Sequence, residues 1–179
     1  ECGKQNKYCS LQATLQSDMD NLSSLSERGH AAMLDRDWWL AIKTYRKILK
    51  THSRDASVWS NLGAAYLEIS DVKRATNALN KALDLEPNSI NALGNLANLN
   101  KQTGNAVASQ KIYKLILEKQ PSLARAWYEL SYVKRFKAND NDIDKMTKLF
   151  DGNKTDINGK MYLAFALGKA YEEIGQYDR

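Results

Sequence analysis

The chain reads as all-α, an extended solenoid of helical hairpins, on three observations. Trp59, Leu93 and Trp127 stand 34 residues apart, and each opens a stretch patterned like the one before it. A period of that length is one helix-turn-helix unit, too small to bury its own apolar face and therefore stacked on its neighbours. Only two prolines occur, Pro87 and Pro121, both at the ends of units. No run of alternating β-branched residues is long enough to argue for a strand.

Residues 56–89 set the frame. Trp59, Leu62 and Tyr66 make one stripe of a first helix, and small Gly63 and Ala75 let a second helix come close. Leu79 and Ala82 continue that second helix, and Pro87 ends it. This W-x2-L-G-x2-Y run, followed by small, large and small apolar residues and then proline, resembles the tetratricopeptide repeat. The resemblance implies a right-handed superhelical array of helix-turn-helix repeats, an α-solenoid whose first helices line a concave groove. Residues 90–123 keep Leu93, Leu96, Ala97, Ser109, Tyr113, Ile116 and Pro121, with Asn100 in the tyrosine place. Residues 22–55 carry Leu25, Gly29, Ala41, Tyr45 and Ile48, with Arg28 in the leucine place and Ser53 in that of the proline. Residues 1–21 form a polar, partly helical extension ahead of the first unit.

The fourth unit, residues 124–160, opens in frame at Trp127, Leu130 and Ser131 and then leaves it. A polar turn at 137–142 predicts Asp142 as a helix N-cap, followed by a short helix over Ile143, Met146, Leu149 and Phe150 and a loop over 151–156. The stripe resumes at Met161. Leu167, Gly168 and Tyr171 fall 37 residues after Leu130, Ser131 and Lys134, so this unit carries three extra residues. Residues 161–179 read as the first helix of a fifth unit, for nine or ten helices in all. A hairpin halved in this way suggests a piece of a longer protein. Its stripe of Leu163, Leu167, Tyr171 and Ile174 is expected to lie open, where it would pair with a second copy as a homodimer.

Composition narrows the function classes. No apolar stretch reaches the roughly 20 residues that span a bilayer, so no membrane association is expected and a cytoplasmic location is the reading. The net charge is +5, and basic residues such as Lys43, Lys47, Lys50 and Arg54 recur at helical spacing. That pattern fits a solvated outer face, or alternatively an acidic partner. Nucleic acid is not expected, because the aromatics are taken up by the repeat. Cys2 and Cys9 precede the first unit and fit either two free thiols or a small disulfide ring. His30 and His52 are the only histidines and sit on separate helices, so no metal site or histidine-assisted nucleophile is expected. Gly94 and Gly104 lack the spacing of a phosphate-cradling loop, and Gly104 reads as a helix C-cap. No cofactor and no catalytic constellation follow from the sequence.

What remains is a groove. The resemblance places Asn61, Glu68, Asn91, Asn95, Asn98, Lys101, Arg125, Tyr128, Glu129, Tyr132, Arg135 and Phe136 at positions that point into it. Asparagine amides offer donor and acceptor together and suit an extended peptide backbone. Asn61 and Asn95 occupy equivalent places one unit apart, similar to the asparagine ladder of O-linked N-acetylglucosamine transferase repeats. The carboxylate clamp of chaperone-binding tetratricopeptide domains is not matched, since its places read Ser60, Ala64, Asn95, Arg125 and Glu129. The last third, with Ala126-Trp127-Tyr128-Glu129-Leu130-Ser131 and the run from Tyr162 to Asp178, resembles the segment joining repeats to the catalytic domain in bacterial tetratricopeptide-sulfotransferase proteins. Two functions follow. One is a protein-interaction module binding a peptide or protein in the groove through Asn61, Asn91, Asn95, Asn98, Lys101, Arg125, Tyr128, Tyr132 and Arg135. The other is a substrate-presenting or regulatory arm of a sulfotransferase.

Overall fold

The computed structural model describes residues 22–176. Among them the chain is all helical, as the period predicts: α1 spans residues 22–34, α2 Trp38–Thr51, α3 Ala56–Glu68, α4 Val72–Leu85, α5 Ile90–Gln102, α6 Ala106–Lys119, α7 Ala124–Ser131, α8 Asn141–Asp151 and α9 Ile157–Glu173. Two compact units divide between Pro87 and Asn88, the first holding α1–α4 and the second α5–α9. Residues 1–21, with Cys2 and Cys9, lie outside the described part.

Helix starts follow from short carboxylates and amides. Asp37, Asp55, Asp71 and Asn105 each accept a hydrogen bond from the backbone N–H three residues on, at 3.0–3.2 Å, giving a donor of the first turn the partner it lacks within the helix. Asp156 does the same for α9 at 2.8 Å from the Gly159 N–H. Hairpin turns repeat as strictly. Arg36, Ser70 and Gly104 all take a left-handed backbone with φ of 59°, 59° and 80°. The next residue in each turn, Asp37, Asp71 and Asn105, returns its N–H to the carbonyl five residues back at 2.8–2.9 Å, closing α1, α3 and α5 in a Schellman turn. Glycine at 104 adopts that conformation without strain, whereas arginine and serine carry a Cβ cost that the capping bonds offset.

Packing inside the two hairpins of the first unit depends on one close approach in each. A Cβ added to Gly29 would lie 2.6 Å from the Tyr45 ring, and one added to Gly63 would lie 2.7 Å from Cγ and Cδ2 of Leu79. Tyr45 and Leu79, fully buried on α2 and α4, thus seat directly on the backbones of α1 and α3. Two indoles fasten first helices to the preceding turn: Trp59 Nε1 donates to the Ser53 carbonyl and Trp127 Nε1 to that of Pro121, each at 2.8 Å.

In the second unit α5 pairs with α6, α6 meets α7, and α9 packs on both α7 and α8. Regularity ends at α7, only eight residues long. Beyond it Lys134 turns inward to 8 % exposure and binds Asp140 at 2.8 Å together with Asp142, its ammonium 4.9 Å from the Phe136 ring centre. Phe136 N–H donates to Glu173 Oε2 at 2.9 Å, tying the segment to the end of α9. Burying two carboxylates around one cation explains why the helix stops: the chain leaves the helical path to bring Asp140 and Asp142 back onto Lys134.

Four sequence expectations change here. The N-cap of α8 is Asp140, which accepts from the Asp142 N–H at 3.0 Å; the carboxylate of Asp142 is engaged by Lys134 and Lys145 instead. The last helix begins at Ile157 rather than Met161, because Asp156 caps it. Phe136 is buried beside Lys134 and does not face a groove. The stripe expected to pair with a second copy is largely covered: Leu163 and Leu167 are buried, and the exposed apolar residues of α9 are Ile157, Met161 and Phe165.

Two predictions follow from this packing. Gly63→Ala should lower stability by about 1–3 kcal/mol through the overpacked Leu79 contact, while Gly168→Ala, where an added Cβ meets nothing within 4 Å, should be neutral or stabilising by up to about 1 kcal/mol; urea midpoints followed by circular dichroism check the pair. For Asp142, burial works against the charged form, but hydrogen bonds and charge from Lys134 and Lys145 outweigh it and hold the carboxyl below its ordinary value. A depressed folded pKa contributes stability that is present above the unfolded value near 3.9 and is lost as pH falls through the folded one. Between about pH 4 and pH 2 the melting temperature should therefore drop more in wild type than in Asp142→Asn, and Lys134→Met should cost about 3 kcal/mol at neutral pH.

Candidate functional site

The second unit gathers one continuous polar and aromatic face from α5, α7 and α9. Lys101, in the last turn of α5, donates to Glu129 Oε2 on α7 at 2.6 Å. Its ammonium also stands 5.9 Å from the centre of the Tyr132 ring, just past the end of α7. Lys169 of α9 approaches the same ring at 4.6 Å. One tyrosine ring is therefore approached by two cations from two helices, an arrangement favoured by the negative ring quadrupole.

Around Tyr132 lies a cluster of rings. The Tyr132 and Tyr128 hydroxyls share a hydrogen bond at 3.1 Å, and the two rings meet edge to face at 5.0 Å. Tyr128 reaches across to α9, with ring centres 5.3 Å from Tyr162 and 6.2 Å from Phe165. The Tyr128 hydroxyl is held above the usual tyrosine range, first by its hydrogen bond with Tyr132, then by burial and by the Glu129 carboxylate. Tyr132 is 53 % and Phe165 61 % exposed, so the cluster presents aromatic surface to solvent. Exposed rings grouped on one face, flanked by charge, are the surface composition enriched at binding sites.

The other groove residues expected from the sequence divide into several groups. Asn98 is committed to the scaffold: its Oδ1 accepts from the Tyr113 hydroxyl at 2.7 Å. Burial and then the Glu129 carboxylate push the Tyr113 hydroxyl well above the usual range, keeping it a neutral donor. Asn95 is half-buried and engaged, while Asn91 and Arg125 are exposed. Arg135 is 91 % exposed and reaches Glu173 Oε1 only at 3.5 Å. Asn61 belongs to the first unit, where its Nδ2 lies 3.1 Å from His30 Nε2, and His30 in turn meets the Tyr45 ring edge-on at 6.3 Å. That pairing assigns His30 a local partner. Lys101, Tyr128, Glu129 and Tyr132 are thus the four predicted groove residues brought together. Three partners were missed, Tyr162, Phe165 and Lys169; each stands 37 residues after Arg125, Tyr128 and Tyr132, so the shifted frame marks the same three positions on α9.

The remaining described surface is less developed. A cleft of about 350 Å³ lies behind Trp127, floored by Leu117, Pro121 and Leu130 and rimmed by Lys114, Glu118, Asp142 and Lys145. Among the described residues no group of three or more potential metal ligands occurs, and no helix is long and apolar enough to cross a membrane.

Solved structures with this architecture are tetratricopeptide-repeat proteins. A MamA crystal structure is similar over 88 % of this chain and 84 % of its own length, with a TM-score of 0.62 and 22 % identity. The second TPR domain of human RPAP3, solved in complex with an HSP70 peptide SGPTIEEVD, is similar over 62 % of this chain and 92 % of its own, with a TM-score of 0.56 and 21 % identity. An O-GlcNAc transferase mutant of Thermobaculum terrenum matches 86 % of this chain with a TM-score of 0.63 and 19 % identity, but only 27 % of that longer protein is covered. These likenesses establish the fold, a tetratricopeptide-type α-solenoid. No curated protein sequence matches. A family model does, over residues 13–141, which ends at the start of α8, and the chain accordingly belongs to the family described as the CABIN1 N-terminal domain.

Proposed function

We infer that this chain is a protein-interaction module and that its working surface is the α5–α7–α9 face. The observation that carries the reading is the ring cluster of exposed Tyr132 and Phe165 with half-buried Tyr128 and Tyr162, flanked at Tyr132 by Lys101 and Lys169. A fold that only needed stability would bury these rings, since each phenyl or phenol ring withdrawn from water contributes on the order of 1.5–3 kcal/mol. The rings are instead fixed by edge-to-face contacts and a hydroxyl hydrogen bond while still meeting solvent, which lowers the entropic cost of binding a partner. Arg125, Asn91 and Arg135 extend the surface with polar contacts, and Asn95 and Asn98 back it. The Lys101–Glu129 pair supports the absence of a carboxylate clamp, because the Glu129 side chain occupies a clamp position. Asn61, on the first unit, is proposed as a separate polar contact. The peptide bound by the second TPR domain of human RPAP3 shows a segment that this type of fold accommodates.

A second reading rests on the stretch from Tyr162 to Asp178 and its resemblance to sulfotransferase junctions: the same face would present an acceptor to a catalytic domain. Reading the coding region past Arg179 tests it, since a βα pattern with a phosphosulfate-binding loop supports the arm and its absence there removes it.

The interaction reading is tested by capture from source-cell lysate. Tyr132→Ala/Phe165→Ala should lose the retained partner by at least about tenfold, whereas Lys111→Ala/Lys114→Ala on the outer side of α6 should retain it. A partner held equally by both variants places binding elsewhere.

A further inference from the structure

The reading of the α5–α7–α9 face as an interaction surface says nothing of what it selects, but its charge and spacing do. Lys101 is neutralised by Glu129 at 2.6 Å, whereas Lys169 has the Tyr132 ring at 4.6 Å and no carboxylate within ion-pair distance among the described residues. A ring face attracts an ammonium without cancelling its charge, so Lys169 is oriented yet remains able to accept a counter-ion. Its stem is half-buried, which limits the side-chain entropy lost when an anion arrives.

Spacing adds the second element. Phe165 lies one turn before Lys169 on α9, about 6 Å along the helix at 1.5 Å per residue. In an extended peptide, residues i and i+2 point to the same side and stand about 6.6–6.8 Å apart. The geometry points to an extended protein segment with an Asp or Glu two residues from a large apolar side chain, the carboxylate seated on Lys169 and the apolar group on Phe165, whose ring rests against Tyr128. This site differs from a terminal-carboxylate clamp in both residues and chemistry: its anion is a side chain within the segment, and its second contact is a ring shelf. Lys101 and Glu129 act as neighbours that keep Tyr132 in place.

The test is selection of a random dodecapeptide library by the full chain, with each peptide fused to the phage coat through its C-terminus so that carboxylates come only from side chains. Wild type should enrich acidic-x-apolar sequences, with Phe, Tyr, Trp or Leu in the apolar place. Lys169→Glu should turn the preference to Lys or Arg at the first position, Lys169→Arg should keep the acidic one, and Phe165→Ala should lose the apolar one. A synthetic consensus peptide should bind Lys169→Met at least about tenfold more weakly than wild type, the usual cost of removing one partner of a charge-assisted hydrogen bond. Thermal melts that superimpose with wild type exclude misfolding as the cause. Binders without acidic enrichment, or an acidic preference indifferent to Lys169→Glu, overturn the selectivity while leaving the interaction surface standing. A library yielding no binder overturns the extended segment, and the lysate capture then decides alone whether the face takes a folded partner.

Discussion

Each hairpin of the first unit depends on one close contact, a large side chain of the second helix seated on a bare backbone of the first. Tyr45 on Gly29 and Leu79 on Gly63 bring the helices closer than any side chain at those positions would permit. Helix separation sets which residues of the first helix turn away from its partner, and those residues become the surface available for binding. Where the frame continues in the second unit, Ala97 and Ser131 occupy the equivalent places, both fully buried, with Ser131 Oγ donating back to the Tyr128 carbonyl at 2.7 Å. A small residue at this position is thus kept by packing, and its neighbours at groove positions are left free to vary.

Much of this was legible because it repeats. Trp59 and Trp127 recur in register, as do Gly29 and Gly63, so the all-α class follows from their spacing. The left-handed turns were legible at one of three places. Gly104 announces its conformation, whereas Arg36 and Ser70 adopt φ of 59° without any residue type that favours it. Their geometry is imposed from outside, by the Asp37 and Asp71 N–H bonds to carbonyls five residues back and by the carboxylate caps that follow. Tertiary constraint overrides local preference there, and a single sequence does not display it.

The fourth unit was legible as irregular but not in its form. Three extra residues and a polar turn signalled the break, but the cap was read at Asp142 where the structure has Asp140. The choice between them is made by Lys134, which draws Asp142 into a buried ion cluster and leaves the capping role to Asp140. Such a cluster is costly to desolvate and cannot be read from spacing, because lysine in a repeat position ordinarily points to water. Phe136 followed Lys134 inward for the same reason, which removed it from the surface where the frame had placed it.

The candidate site is a consequence of that irregularity. Had α7 run its full length, Tyr132 would stand in mid-helix; instead it caps the shortened α7, where its ring meets cations from two helices. Had the 37-residue step been 34, Tyr162, Phe165 and Lys169 would fall at other positions of α9, and the ring contacts of Tyr128 to Tyr162 and Phe165 would not form. The ion cluster beneath Lys134, the Glu173 bond to the Phe136 N–H and the resulting placement of α9 therefore act on one outcome, the distance between the last two first-helices of the array. A perfectly regular solenoid would repeat the same groove positions in every unit; this one departs from its own period and at that departure presents a group of aromatic and cationic side chains.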